Sequence, residues 1–170
     1  AEIDTEENWQ RKHFNSFDMN YSKARFYKDY RWILEDLYLN KKWDKISDFN
    51  IYATKLISQV LQIETQFISS LELHTDAHKD DKLIEICKRL NATHYLSGPA
   101  ARNYIIPNKF EKANIQLEYI KYEYPKYKQI YEPFNHFVSV LDLIFNCGPN
   151  SSYYIWEWRD EKGDVKYDIL

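Results

Sequence analysis

The run Tyr95-Leu96-Ser97-Gly98-Pro99-Ala100-Ala101-Arg102-Asn103-Tyr104 holds the residue types best suited to gripping an anion. Gly98 permits close backbone approach. Pro99 suits the first position of a helical turn, whose free N–H groups face negative charge. Arg102 adds a charge-assisted donor for phosphate or carboxylate. The same residues also describe an ordinary strand-to-helix turn with a surface arginine. A second run is Trp9-Gln10-Arg11-Lys12-His13. At helical spacing Trp9 and His13 share one face, and Arg11 and Lys12 point elsewhere. That places an aromatic ring and a proton carrier together. It equally fits an amphipathic helix with a packed Trp9 and a solvated basic edge.

Other segments carry weaker signals. Ser139 and Asp142 have capping-box spacing ahead of an apolar helix, whose end places Asn146 and Gly148 where they could line a pocket. Tyr119–Tyr131 interleaves tyrosines with Lys121, Lys126 and Lys128, a pattern that stacks on bases or sugar rings or else covers a sheet edge. His74 and His78 lie four apart among Asp76, Asp80 and Asp81. That loop lacks a sulfur ligand or a rigid helix, so it reads as solvated and no metal site is expected. Cys87 and Cys147 have no CxxC partner, and both are expected buried and reduced. No Walker loop, GxGxxG, HExxH or GxSxG motif occurs, so no cofactor is expected.

The elements that position these residues follow from periodicity. Trp9–Tyr21 and Phe26–Leu39 read as helices. Phe49–Ile63 is the clearest helix: Phe49, Tyr52, Ala53, Leu56, Ile57, Val60 and Leu61 form one apolar stripe, with Ser47 as N-cap. Gln66–Leu73 alternates and reads as a strand. A helix over Asp81–Asn91, a strand over Thr93–Leu96, a short helix over Pro107–Asn114 and a strand over Ile115–Tyr122 follow. Tyr124–Phe137 is a tyrosine-rich loop, and Ser139–Phe145 a helix ended by Cys147-Gly148-Pro149. Strand alternating with helix predicts an α/β fold: a mostly parallel sheet with flanking helices and an N-terminal helical part. The turn at Gly98 then lies where a strand ends, the usual ligand position in such sheets.

The chain has 170 residues, 44% hydrophobic and 17% aromatic, which suits one globular domain or a portion of one. Its helical part is residues 1–63 and its α/β part 64–170. The 23 Lys and Arg against 26 Asp and Glu give a charge of −3, which argues against a nucleic-acid module. No apolar run approaches the ~18 residues of a membrane span, and no signal peptide is visible, so the cytoplasm is the expected location.

Several runs, taken in order, resemble the WbqC-like family. They are Trp9-Gln-Arg-Lys-His13, Asn20-Tyr-Ser-Lys-Ala24, Leu83-Ile-Glu-Ile-Cys-Lys88 and Tyr95-Leu-Ser-Gly-Pro99 with Tyr104. Further along come Phe110 with Ile115, Tyr124-Pro125 with Tyr127 and Gln129, Phe134, and Ser139-Val-Leu-Asp-Leu-Ile-Phe-Asn-Cys-Gly148. Members begin with a further section containing a His-Gln-Pro-Asn-Tyr-like stretch that is absent here, so the chain is expected to correspond to the carboxyl-terminal portion of a member. The family's association with surface-polysaccharide genes such as those for O-antigen implies a group transferase of acyl or aminoacyl type. It would act on a small-molecule substrate, a nucleotide-linked or amino sugar.

On that expectation His13 is the general acid–base, histidine being the side chain that changes charge near neutral pH. Trp9 stacks on a ring, and Arg11 holds a carboxylate or phosphate. Tyr95, Ser97, Gly98, Arg102 and Tyr104 form the anion-binding turn, with Asp142 and Asn146 orienting these groups from behind. Two other readings stand beside this one. The Tyr/Lys segment suits a transferase acting on a nucleic-acid base. The aromatic first forty residues suit a non-catalytic scaffold or binding subunit with a protein partner or a second copy of itself.

Overall fold

The structure is a computed structural model that describes residues 1–4, 7–121 and 123–158. By its contacts the chain forms two compact units, Ala1–Glu64 with Tyr124–Leu170, and Thr65–Glu123.

The first unit is helical. Helix α1 spans Trp9–Tyr21, α2 Tyr27–Tyr38 and α3 Ile46–Val60. Asn8 caps α1, its side-chain oxygen accepting from the Arg11 N–H at 3.3 Å. The α2 stripe of Ile33, Leu34 and Leu37 is fully buried. Each such side chain contributes roughly 1.5–3 kcal/mol by leaving water. The expected α3 stripe packs onto this core through Phe49, Tyr52, Ala53, Leu56, Ile57, Val60 and Leu61. Helix α6, Val140–Cys147, adds Leu141, Ile144 and Phe145, and the Phe26 N–H donates to the Phe145 carbonyl at 2.9 Å. Residues 124–158 thus belong with the helical part.

Polar ties fix how the helices meet. Asp18 on α1 accepts from Tyr27 Oη (2.9 Å) and Arg31 Nε (3.1 Å) on α2. Asp36 on α2 accepts from Tyr52 Oη on α3 at 2.6 Å and from Lys41 Nζ at 2.6 Å. Helix α6 ends on Gly148, at φ +56°. A Cβ there would lie 2.5 Å from Phe26 Cγ, so the helix end and the Phe26 ring occupy space that only glycine leaves free.

The second unit is the α/β part. Helix α4 (Lys79–Arg89) leads to strand β1 (His94–Ser97), a 3₁₀ turn (Pro99–Asn103), helix α5 (Pro107–Lys112) and strand β2 (Gln116–Tyr119). The strands pair in parallel from His94 opposite Gln116 to Ser97 opposite Tyr119. Asp80 and Asp81 open α4, and Lys88 and Arg89 close it, matching the helix dipole. Asn91 and Asn114, at φ +54° and +56°, reverse the chain after α4 and α5 in the left-handed conformation that asparagine tolerates. The core is Ile84, Cys87, Ala101, Ile105, Phe110 and Ile115.

The fold is α/β, with a parallel sheet of two strands among the described residues. Gln66–Leu73 is not the expected strand. Among the described residues it has no strand partner, and a turn forms where the Glu72 N–H bonds the Ser69 carbonyl and the Leu71 N–H bonds Ser69 Oγ. Alternation alone cannot make a strand without a ladder to join. Ser47 is not the α3 N-cap. The helix begins one residue before it, with Lys45 in the extended cap position, and the Ser47 hydroxyl donates to Asp48 instead. No described helix is long and apolar enough to cross a membrane.

Candidate functional site

In the α/β unit, Tyr95 and Ser97 share the half-buried face of β1, while His94 and Leu96 face out. Tyr95 stacks on Phe110 with centroids 5.4 Å apart. Burial pushes its phenol up, and the Ser97 hydroxyl beside it pulls the other way. Gly98 has φ −68° and ψ 155°, an ordinary extended conformation, and a Cβ there would meet nothing within 4 Å. The fold does not require glycine at that point. The space in front of it is open.

Pro99 does take the first position of a helical turn, as its ring predicts. That turn is a single five-residue 3₁₀ segment, and its Ala101 N–H bonds the Gly98 carbonyl at 3.1 Å. It has neither the length nor the free donors of an α-helix N-terminus. The cationic side chain of this run is Arg102. Its guanidinium lies 4.6 Å from the centroid of the Tyr119 ring, at the C-terminal ends of the parallel strands. Among the described residues no carboxylate pairs with it. Tyr104 follows, 70% exposed.

In the helical unit, Trp9 and His13 do share a face of α1, their rings 5.4 Å apart and nearly perpendicular. Both also meet the Tyr38 ring edgewise. Trp9 is half-buried against the core, and His13 and Arg11 are exposed. The Arg11 guanidinium sits 5.9 Å from the Phe14 ring, turned away from His13's face as the spacing requires. A surface cleft of about 360 Å³ opens beside Trp9. Trp9, Asn8 and Gln10 line it from the start of α1, and Lys42, Trp43 and Asp44 from the α2–α3 connection. Trp43 was not a candidate from sequence, although a tryptophan in a polar connection was its visible signal.

Asp142 is buried at 6% exposure, and its carboxylate accepts from Tyr127 Oη (2.7 Å) and Gln129 Nε2 (3.0 Å). Gln129 in turn holds both the N–H and the carbonyl of Asn135. Asp142 thus pins the tyrosine-rich segment rather than closing a capping box; Ser139 caps α6 through the Leu141 N–H. Burial, with Asp142 nearby, pushes the Tyr21 phenol up to about 12 and the Cys147 thiol up to about 11. The Tyr127 phenol is raised for the same two reasons. The Asn146 side chain donates back to the Asp142 carbonyl at 2.8 Å. Sequence reasoning missed this network, though Tyr127 and Gln129 were among the residues carrying the family resemblance.

Cys87 and Cys147 are both buried and neither forms a disulfide. Burial raises both thiols, which disfavours the reactive thiolate. Among the described residues no cluster of His, Cys, Asp or Glu could hold a metal ion.

The sequence matches the WbqC-like protein family over residues 1–154. A Mycobacterium tuberculosis relative named "Uncharacterized protein Rv1507c" is 30% identical over 148 residues, which is 86% of this chain and 64% of that protein. The chain therefore spans less than two-thirds of that relative's length. No solved structure matches it.

Proposed function

The chain belongs to the WbqC-like protein family, and from that membership and the geometry of the β1 turn we propose a group transferase acting on a nucleotide-linked sugar. The setting is cytoplasmic synthesis of a surface polysaccharide of O-antigen type. The observation that carries this reading is Arg102, a guanidinium stacked on Tyr119 and free of any described carboxylate at the ends of two parallel strands. A guanidinium so held binds phosphate bidentately. The strand ends are where α/β sheets collect ligands. In this proposal Arg102 grips the diphosphate, and Tyr95, Ser97 and Gly98 border it. Tyr104 offers an exposed ring to the base or sugar.

The transfer moves an acyl or aminoacyl group onto a hydroxyl or amine of the sugar. A new ester or amide bond forms as the donor's acyl bond breaks, and the proton lost by the attacking group goes to the departing donor group. Asp142 and Asn146 act by holding backbone and loop in place.

The test is thermal unfolding of the full chain with nucleoside diphosphates and nucleotide sugars. A ligand at a hundred times its Kd adds about 2.7 kcal/mol, roughly 5–10 °C at this size. Arg102→Ala is expected to weaken that ligand about tenfold to a hundredfold, and the exposed site leaves folding intact. If no nucleotide raises the midpoint, or the variant binds equally well, the reading is wrong.

A further inference from the structure

The cleft beside Trp9 has a composition of its own. Its two indoles are held in fixed planes: Trp9 meets Phe49 at 5.5 Å and 87°, and Trp43 meets the same ring at 5.6 Å and 82°. Trp43 Nε1 donates to the Leu37 carbonyl at 2.7 Å, which locks the second ring from below. Gln10 is fixed as well, its Nε2 donating to the Tyr38 and Lys41 carbonyls. Both Gln10 donors are thus engaged, and its Oε1 remains as an acceptor. Among the described residues no hydrogen bond engages that oxygen, the Asp44 carboxylate or the Lys42 ammonium.

These groups define what fits. Of the charged lining, Glu7 is already paired with Lys12 Nζ at 2.5 Å, which leaves one carboxylate, Asp44, and one ammonium, Lys42, and no cationic excess for a phosphate. Preset indoles offer flat apolar faces. Free acceptors beside them call for a ligand that donates several hydroxyl protons. A ring with an apolar C–H face and a rim of hydroxyls meets both demands, and the volume lies at the small end of the ~300–1,000 Å³ typical of ligand pockets.

We propose that this cleft, walled by Trp9 and Trp43, is a pyranose-binding subsite in which Asp44 and Gln10 accept hydroxyl protons and Lys42 donates. This binding is read from the cleft alone and does not rest on the function proposed above.

The test uses the full chain and phosphate-free probes: the methyl glycosides of glucose, galactose, N-acetylglucosamine and N-acetylgalactosamine. Binding is read by saturation-transfer NMR and tryptophan fluorescence. At least one glycoside is expected to bind saturably and to alter the fluorescence. Asp44→Asn is expected to weaken it about tenfold, and Trp43→Ala to abolish it. Should Trp43→Ala fail to fold, Asp44→Asn decides, because that exposed carboxylate makes no described bond within the protein. The proposal is overturned if no glycoside binds, if Asp44→Asn binds equally well, or if adenosine binds in place of the sugars. Because the probes carry no phosphate, failure here leaves the nucleotide experiment standing, and failure there leaves this one standing.

Discussion

Gly148 and Gly98 separate two uses of glycine. At Gly148 the backbone is left-handed and the Phe26 ring stands where a methyl would go. Gly148→Ala adds left-handed strain of ~1–2 kcal/mol to overpacking of ~1–3 kcal/mol. We expect a loss of about 2–5 kcal/mol, read as the thermal midpoint. At Gly98 the backbone is ordinary and the space is open. Gly98→Ala should change stability by less than about 0.5 kcal/mol. If it nevertheless weakens a nucleotide, the added methyl is touching the ligand and not the protein. Asp142 makes the same point in polar form: a carboxylate placed on a helix by sequence finds its partners, Tyr127 and Gln129, far from that helix in the chain.

At the scale of elements, one buried carboxylate joins α4 to the start of α5. Asp80 is 5% exposed and accepts the Ile106 N–H at 3.0 Å, while Asp81 beside it pairs with Lys109 at the surface. Asp80→Ala strands that N–H, which costs about 1–3 kcal/mol. Asp80→Asn keeps an acceptor and should cost about 1 kcal/mol or less. Urea unfolding of both variants checks the difference, and equal losses would show that the carboxylate's charge, not the bond, is what matters. The surface pair should add little, since exposed ion pairs give about 0–1 kcal/mol. The α4 run Leu83–Lys88 was legible from periodicity because Ile84 and Cys87 are one turn apart. The strand expected at Gln66–Leu73 was not, because pairing depends on a neighbour that the local sequence does not specify.

At the scale of the whole molecule, the titrating groups set a stability window. Burial leads the rise of Tyr21 and Tyr27 to about 12 and of Cys147 to about 11. A group whose folded pKa is raised stays protonated in the native state while the unfolded chain loses its proton. The unfolded state then binds fewer protons, and stability falls as pH rises. The loss should begin near the unfolded thiol and phenol values, about 8.5 and 10, and continue to about pH 12. On the acid side the sign reverses. Hydrogen bonds from Arg31 and Tyr27 hold Asp18 below the usual carboxylate range, and Thr75 and Arg89 do the same for Glu85. Burial pushes Asp36 up, but bonds from Lys41 and Tyr52 outweigh it and the net shift is down. Stability from these groups is present above about pH 4 and lost below it. Thermal midpoints from pH 3 to 12 should show both shoulders, and a flat alkaline limb would contradict the burial of the phenols.

The sequence by itself determined the helices and the family. Apolar spacing of 3.6 residues fixes a helical face whatever lies opposite, which is why α1 to α4, α5 and α6 were readable, as was the shared face of Trp9 and His13. Only the tertiary structure decided which groups are free to act. Arg102 is a candidate because Tyr119 holds it and no described carboxylate neutralises it. Trp43 joins Trp9 in a cleft because the chain after α2 returns to the start of α1. Asp142 is spoken for because a loop from Tyr127 to Asn135 folds over it. In each case the deciding partner is distant in sequence, and pairwise spacing within a segment carries no information about it.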